Sequence, residues 1–415
     1  MATAASATAP PVSLGLRANW KQCSLLVAIN AFVGAMVGLE RSILPLLAER
    51  EFGVTSAAAT ASFVGSFGAA KALANLSAGA LSERFSRRSI LIAGWLAAIP
   101  VPLIIIAAPS WGWVVFANLF LGVNQGLAWS MTVNMKIDLV GPRRRGLALG
   151  LNEAAGYLAV AAAAFASGIV AERYGLRPEP FYLGIAVAAV GLALSVLFVK
   201  DTALHVASEA TRHVSQATIT LRQAFAEATW RRPHLVGVSQ AGFVNNLNDA
   251  LAWAIFPLFF ASRGASLGEI AALAAAYPLL WGSCQLGTGW MSDVLGRRPL
   301  IVAGMFLQAG AIAVVGVSSA LPGWWIGLVL LGVGTAMVYP VLLAAIGDAV
   351  APLERATVLG VYRFWRDGGA LAGAVVAGVL ADVFSFTLAI LTVAVLTALS
   401  GLLAAFLIKG KEDSP

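Results

Sequence analysis

"GALSERFSRRSILIAG", residues 79–94, and "GWMSDVLGRRPLIVAG", residues 289–304, are one pattern written twice. At an offset of 210, Gly79 falls on Gly289, Ser82 on Ser292, Glu83 on Asp293, and Arg87 and Arg88 on Arg297 and Arg298. Each copy is a short, doubly basic interruption between apolar runs. At the same offset "DLVGPRRRGLALGLNE" (138–153) lies over "DAVAPLERATVLGVYR" (348–363), keeping an Asp, a Pro, an Arg and a Gly. "FVGAMVGLERSILP" from Phe32 and "FVNNLNDALAWAIFP" from Phe243 correspond more loosely.

The surrounding composition says what repeats. Of 415 residues 59% are hydrophobic and 11% charged, against roughly 25% charged in a soluble domain. Apolar runs long enough to cross a hydrocarbon layer of about 30 Å recur. Dividing them at charged and Pro/Gly-rich punctuation predicts twelve spans, at 25–47, 57–81, 89–107, 112–136, 146–170, 180–199, 235–261, 267–291, 299–319, 324–347, 356–380 and 384–408. Six crossings return a chain to its starting side, so the repeat predicts two parallel six-helix halves. The expected organisation is a disordered tail over 1–20, bundles over 21–199 and 234–408, a polar, partly amphipathic cytoplasmic linker over 200–233 and a C-terminal tail over 409–415.

The net charge of +7 reads as topology rather than as a nucleic-acid footprint. With both termini cytoplasmic, the inner loops and tails hold eighteen Lys and Arg and the outer loops hold four, namely Arg50, Arg173, Arg177 and Arg263. That asymmetry sets the orientation. Cys23 and Cys284 are isolated, and His205, His213 and His234 fall in or beside the linker, so neither residue type forms a metal or cofactor pattern in the spans. The sequence shows no nucleophile with His and carboxylate at depth, no Gly-rich phosphate loop and no HExxH. An enzyme is therefore not expected, and no cofactor is.

The tract "GALSERFSRR" and its partner "GWMSDVLGRR" resemble the signature loops of the major facilitator superfamily, and the twelve spans and central loop extend the resemblance over nearly the whole chain. The resemblance implies an all-α membrane protein of two six-helix bundles rocking about a site near mid-membrane, in the plasma (inner) membrane and as a monomer. It implies a cavity lined mainly by the first, fourth, seventh and tenth spans. The second, fifth, eighth and eleventh form the contact between halves. It also implies a cytoplasmic gate, for which Gly79, Glu83, Arg87, Arg88, Asp293, Arg297 and Arg298 are the candidates, Glu83 acting through the start of the eleventh span. The Arg pairs read equally as topology anchors. Two features depart from drug/proton antiporters of this family: "NLFLGVNQG" has Asn118 where many carry Arg, and the fifth span lacks their Gly-Pro pair.

Charges at membrane depth carry the functional reading. In "GVYRFWRDGGALAG" (360–373), Arg366 lies roughly 15 Å into its helix at 1.5 Å per residue, near mid-bilayer. Three lipid-facing charges there would cost on the order of 8 kcal/mol, so Arg363, Arg366 and Asp367 are expected to face protein or water. Arg363 and Asp367, four apart, can pair with each other. Lys71 is the expected partner of Asp367 across the halves, since the resemblance sets the second span against the eleventh. With Glu40, Arg41, Glu153 and Asp249 the deep set balances in charge. Asn245 and Asp249 in "NNLNDALAW" share a face and are the expected cavity pair, while Asn246 reads as interhelical. Lys136 and Asp138 read as an interfacial pair.

The candidate solute contacts are therefore Arg366, Asp249, Asn245, Arg363, Lys71 and Tyr362. The candidate proton carriers are Glu153, Glu40, Asp249 and Asp367, carboxylates that can alternate between desolvation and a cation. Each of them reads also as a member of a structural ion-pair network. The function expected is secondary transport of a small organic or amphiphilic solute, coupled to protons and directed outward. Uptake or exchange of an organic anion, and a non-transporting sensor or scaffold, are the alternatives.

Overall fold

Small polar residues set the helix starts. Ser56, Ser86, Ser266 and Ser385 are extended N-caps whose hydroxyls accept from the backbone N–H three residues on, and Ser266 closes a capping box with Glu269. Ser56 and Ser266 are equivalents in the repeat, so the cap is part of what was duplicated. The computed structural model describes residues 13–140, 145–210, 219–350 and 354–409.

The described residues are helical, with no strand. The long segments are α1 Trp20–Arg50, α2 Ala57–Arg84, α3 Arg87–Ala107, α4 Trp111–Val140, α5 Arg145–Tyr174 and α6 Glu179–Leu197 in the first half. The second half begins with α7, Pro233–Ala250, which runs on through Leu251–Ile255 and Phe256–Ser262. It continues with α8 Leu267–Leu295, α9 Arg297–Val317, α10 Leu321–Ala349, α11 Arg355–Val383 and α12 Phe386–Leu407. Nine of these helices are long and apolar enough to cross a membrane. The three expected spans that fall short are α2, α7 and α11. Lys71, the Asn/Asp cluster and the Arg363–Asp367 charges lower their hydropathy, which is what a helix that turns a polar stripe to protein should show.

Parts of the expected tail and linker are among the described residues. Residues 13–19 of the expected tail are held in place, for Gly15 N and Asn19 Nδ2 donate to Leu139 O at 2.9 and 3.0 Å. The linker contains Ala203–Ala210 and a capped turn of helix, Leu221–Ala226, whose Phe225 meets Trp365 of α11. Residues 1–12, 211–218 and 410–415 lie outside the described residues.

Across the two halves, α2 packs along α11 and α5 along α8. Small residues allow it. A Cβ on Gly378 of α11 would come 2.5 Å from Ala58 Cα, and one on Gly168 of α5 would overlap Ala271 of α8. At this end, opposite the termini, Asp382 of α11 accepts from Ser56 Oγ, Ala57 N and Ala58 N at 2.6, 2.5 and 3.0 Å. Its repeat equivalent Glu172 accepts from Gly268 N at 3.3 Å, and Gly268 is the equivalent of Ala58. Each half thus sets a carboxylate on the N-terminus of a helix in the other, where free N–H groups and the helix dipole favour an anion.

Candidate functional site

Between α2, α4, α5, α7, α8, α10 and α11 lies a layer of buried charged and aromatic side chains. Asp367, 1% exposed, is its hub. Its carboxylate meets Arg366 Nη1 at 2.8 Å and Lys71 Nζ at 3.5 Å, and accepts from Asn75 Nδ2 at 2.6 Å. Lys71 and Asn75 stand one turn apart on α2, so a single helix face supplies both contacts. Asn75 Oδ1 in turn accepts from Ser130 Oγ at 2.7 Å. Arg363 Nη1 donates to the same Ser130 hydroxyl at 3.2 Å. The expected Arg363–Asp367 pair is therefore replaced: a neighbouring guanidinium and a lysine from the other half take the carboxylate, and Arg363 reaches α4.

Arg366 is shared. Its Nη2 stands 3.9 Å from Asp249 Oδ2 and donates to Tyr157 OH at 3.5 Å, while its Cζ lies 4.3 Å from the Tyr339 ring centroid. Asp249 Oδ1 accepts from Tyr277 OH, which lies 3.2 Å from Thr335 Oγ1, and Asp249 Oδ2 has no hydrogen-bond partner. Tyr157 stacks on Trp281 with centroids 3.6 Å apart across the α5–α8 contact, and Trp129 and Tyr339 close the cluster at 5.4 and 6.1 Å from Tyr157. A buried guanidinium with a carboxylate on either side can exchange one for the other when the helices shift.

Glu153 accepts from Trp129 Nε1 at 2.8 Å and from Asn152 Nδ2 at 3.1 Å, and its Oε2 has no partner. Trp129 ends a π-turn, Gln125–Trp129, in α4, and α7 has its own at Leu251–Ile255 just after Asp249. Such turns re-aim side chains and gather at functional sites. Glu40 and Arg41 are both buried at the end of the first part of α1, with Glu40 Oε2 unpartnered. Lys136 donates to Asn152 Oδ1, and Asp138 pairs with Arg87, so the expected Lys136–Asp138 pair does not form.

Two expected solute contacts lie elsewhere. Asn245 Oδ1 accepts from Gln308 Nε2 at 3.0 Å, inside a chain that runs through Asn248 to Thr397 at 2.9 and 2.8 Å. That network ties α7 to α9 and α12 and holds the Asn245 carbonyl oxygen, while its Nδ2 has no hydrogen-bond partner among the described residues. Tyr362 is fully buried in the core of the second half against Gly242. Sequence reasoning passed over Asn75, Tyr277 and Trp281. Their signal was helical spacing: Asn75 one turn from Lys71, and Tyr277 and Trp281 one turn apart in an otherwise small apolar run.

In the signature loops, Arg87 pairs with Asp138 and Arg297 with Asp348 at 2.9 Å, equivalents in the repeat, and Arg297 also meets Asp293 at 2.6 Å. These pairs stay within their own halves. Arg88 Nη2 donates to Val196 O at 2.5 Å and its N–H to Asp201 Oδ2 at 3.1 Å. Burial raises the Asp201 carboxyl, but the Ala203 and Arg88 N–H groups outweigh it and hold the group below the usual range. Arg298 is half-buried, and the surroundings of Gly79 and the side chain of Glu83 lie outside what is described.

The family model of the Major Facilitator Superfamily matches residues 24–239 and again 238–415, one match for each half of the repeat. The chain belongs to this superfamily. Among the described residues, nine helices long and apolar enough to cross a membrane accord with that membership. Over 211 residues it is 28% identical to the multidrug resistance protein MdtG of Salmonella choleraesuis strain SC-B67 and to that of Salmonella typhi. Each alignment takes in 49% of this chain and 51% of the relative, so the chain spans about half the length of the curated relatives it matches. Among solved structures, a POT family transporter in complex with 5-aminolevulinic acid superposes with a TM-score of 0.74 at 12% identity, covering 92% of this chain and 95% of that one. A bacterial homolog of the human lysosomal transporter Spinster, inward-facing and unoccupied, gives 0.72 at 13%, covering 94% and 96%. These likenesses show the fold. Within the superfamily, the Asp367, Arg366 and Asp249 layer lies where the two halves meet.

Proposed function

We propose that this protein is a secondary active transporter that moves a small organic or amphiphilic solute by alternating access, coupled to protons and in the outward direction. The observation that carries the reading is the shared Arg366, held by Asp367 at 2.8 Å and facing Asp249 at 3.9 Å. Twelve spans with both termini cytoplasmic, as the Lys and Arg asymmetry favours, put this layer in mid-membrane. Protonation of Asp249 would release Arg366 from one side, and solute binding would compete for the same guanidinium, so the two events are linked through one charge. Glu153 and Glu40, each with an unpartnered carboxylate oxygen, are further proton candidates. The name of the MdtG relatives, multidrug resistance protein, supports drug-like solutes.

Uptake or exchange of an organic anion is the second reading, favoured by Arg363, Arg366 and Lys71 converging on one layer. Proteoliposomes loaded with ethidium or with 1-naphthoate, under an imposed pH gradient of either sign, separate the two. Gradient-driven ethidium movement supports proton-coupled export, naphthoate movement supports the anion reading, and flux of neither contradicts both.

A further inference from the structure

Arg41 takes part in none of the contacts above. It is 1% exposed, and among the described residues Nε, Nη1 and Nη2 all lack a hydrogen-bond partner. Three aromatic rings from both halves stand around it, with Cζ 4.2 Å from the Trp253 centroid on α7 and 4.9 and 5.9 Å from Phe67 and Phe63 on α2. Trp253 Nε1, beside it, is likewise buried and without a partner. Glu40 and Asp249 attract the guanidinium through space, but neither accepts a hydrogen bond from it.

Stability does not explain this arrangement. A buried donor without an acceptor is penalised, more so when charged, and an apolar side chain of similar volume would pack here without that penalty. A guanidinium stacked on π-faces keeps its N–H fork in plane and pointing away from the rings. What matches such a fork is a pair of parallel oxygens, and what matches its walls is a flat apolar body attached to them. Arg366 cannot take this part as readily, since Asp367 already occupies it. With Arg41 only 1% exposed, the rings are closed on it in this conformation, and parting of α2 from α7 would open the fork.

We propose that Arg41 is the anion-recognition residue of the solute path, gripping the carboxylate or sulfonate of an amphiphilic organic anion whose apolar body lies against Trp253 and Phe67. The assignment rests on the reading of the protein as a transporter with its path between the halves, and deepens it by naming the solute class.

The test is calorimetric titration of the full chain in lipid nanodiscs with three matched probes: 1-naphthoate, neutral 1-naphthamide and cationic 1-naphthylmethylammonium. Naphthoate should bind at least tenfold tighter than the other two. Arg41→Gln should bring naphthoate down to the affinity of the amide and leave the amide unchanged. Arg41→Lys, which keeps the charge and loses the fork, should fall between, and serves alone if the Gln variant does not elute as a folded species. Trp253→Leu should weaken all three. The inference is overturned if the wild type binds naphthoate no tighter than the amide, if it shows no saturable naphthoate binding, or if both Arg41 variants bind it as the wild type does. Arg41-dependent binding without naphthoate flux in proteoliposomes would count against the transport reading alone. Flux with wild-type affinity in the Arg41 variants would count against this inference alone.

Discussion

Asp367 of the second half and Lys71 of the first stand 3.5 Å apart, and the same carboxylate holds Arg366 at 2.8 Å and Asn75 at 2.6 Å. One anion therefore ties α2 to α11 and also fixes the guanidinium that faces Asp249. Removing it leaves the buried Arg366 and the half-buried Lys71 without the carboxylate they share. Asp367→Asn should lower solute flux at least tenfold and destabilise the protein by about 3 kcal/mol, the range for breaking a buried pair by one partner. The exchange Lys71→Asp with Asp367→Lys should recover part of the stability, read as the midpoint of thermal unfolding in detergent. Wild-type behaviour of Asp367→Asn would contradict the hub role.

The carboxylates at the end opposite the termini act as a pair of latches. Asp382 caps α2 and Glu172 caps α8, from equivalent places in the repeat. A carboxylate on a helix N-terminus contributes roughly 0.3–1 kcal/mol, so losing both should favour the state open at that end by a factor of roughly ten. In a background with Cys23 and Cys284 replaced by Ser, a cysteine at Ala61, fully buried here, should then react about tenfold faster with a membrane-impermeant maleimide. Equal labelling with and without Asp382→Ala and Glu172→Ala would remove the latch.

Tyr277 positions Asp249 by donating its hydroxyl to Oδ1, and shares that hydroxyl with Thr335 at 3.2 Å. Tyr277→Phe keeps the ring and deletes one donor. It should cost about 1–2 kcal/mol of stability and reduce flux, whereas Thr335→Val should change flux little. Unchanged flux in Tyr277→Phe would mean that Asp249 needs no such orientation.

Acid should loosen the junction after α6. The Asp201 carboxylate is held below its usual range, so the stability it contributes is present above about pH 4, the unfolded value, and is lost as pH falls through the lower folded value. The unfolding midpoint of the wild type should drop on that acid limb more steeply than that of Asp201→Asn. Parallel curves would show that the Ala203 and Arg88 N–H contacts do not matter to stability.

The repeat and the helical architecture were legible in the sequence because each is written many times over: an offset of 210 kept through signature loops, caps and carboxylates, and apolar runs bounded by charge. The Lys71–Asp367 contact was legible once α2 was set against α11. Arg363 and Asn245 were not, for a physical reason. Helical spacing says which residues share a face, but it does not say which neighbouring helix brings a better acceptor, and Ser130 and Gln308 each lay on another segment. The aromatic layer of Tyr157, Trp281 and Tyr339 was not legible for the same reason, since its chemistry appears only when α5, α8 and α10 come together around Arg366.

The most direct measurement is gradient-driven solute flux in proteoliposomes carrying the wild type, Arg366→Gln or Asp249→Asn, with ethidium and 1-naphthoate as probes and the pH inside and outside set independently. The account predicts that the wild type moves at least one probe in response to the gradient, that Arg366→Gln abolishes the movement, and that Asp249→Asn leaves exchange but uncouples it from the gradient. Wild-type rates with unchanged pH response in both variants would contradict it.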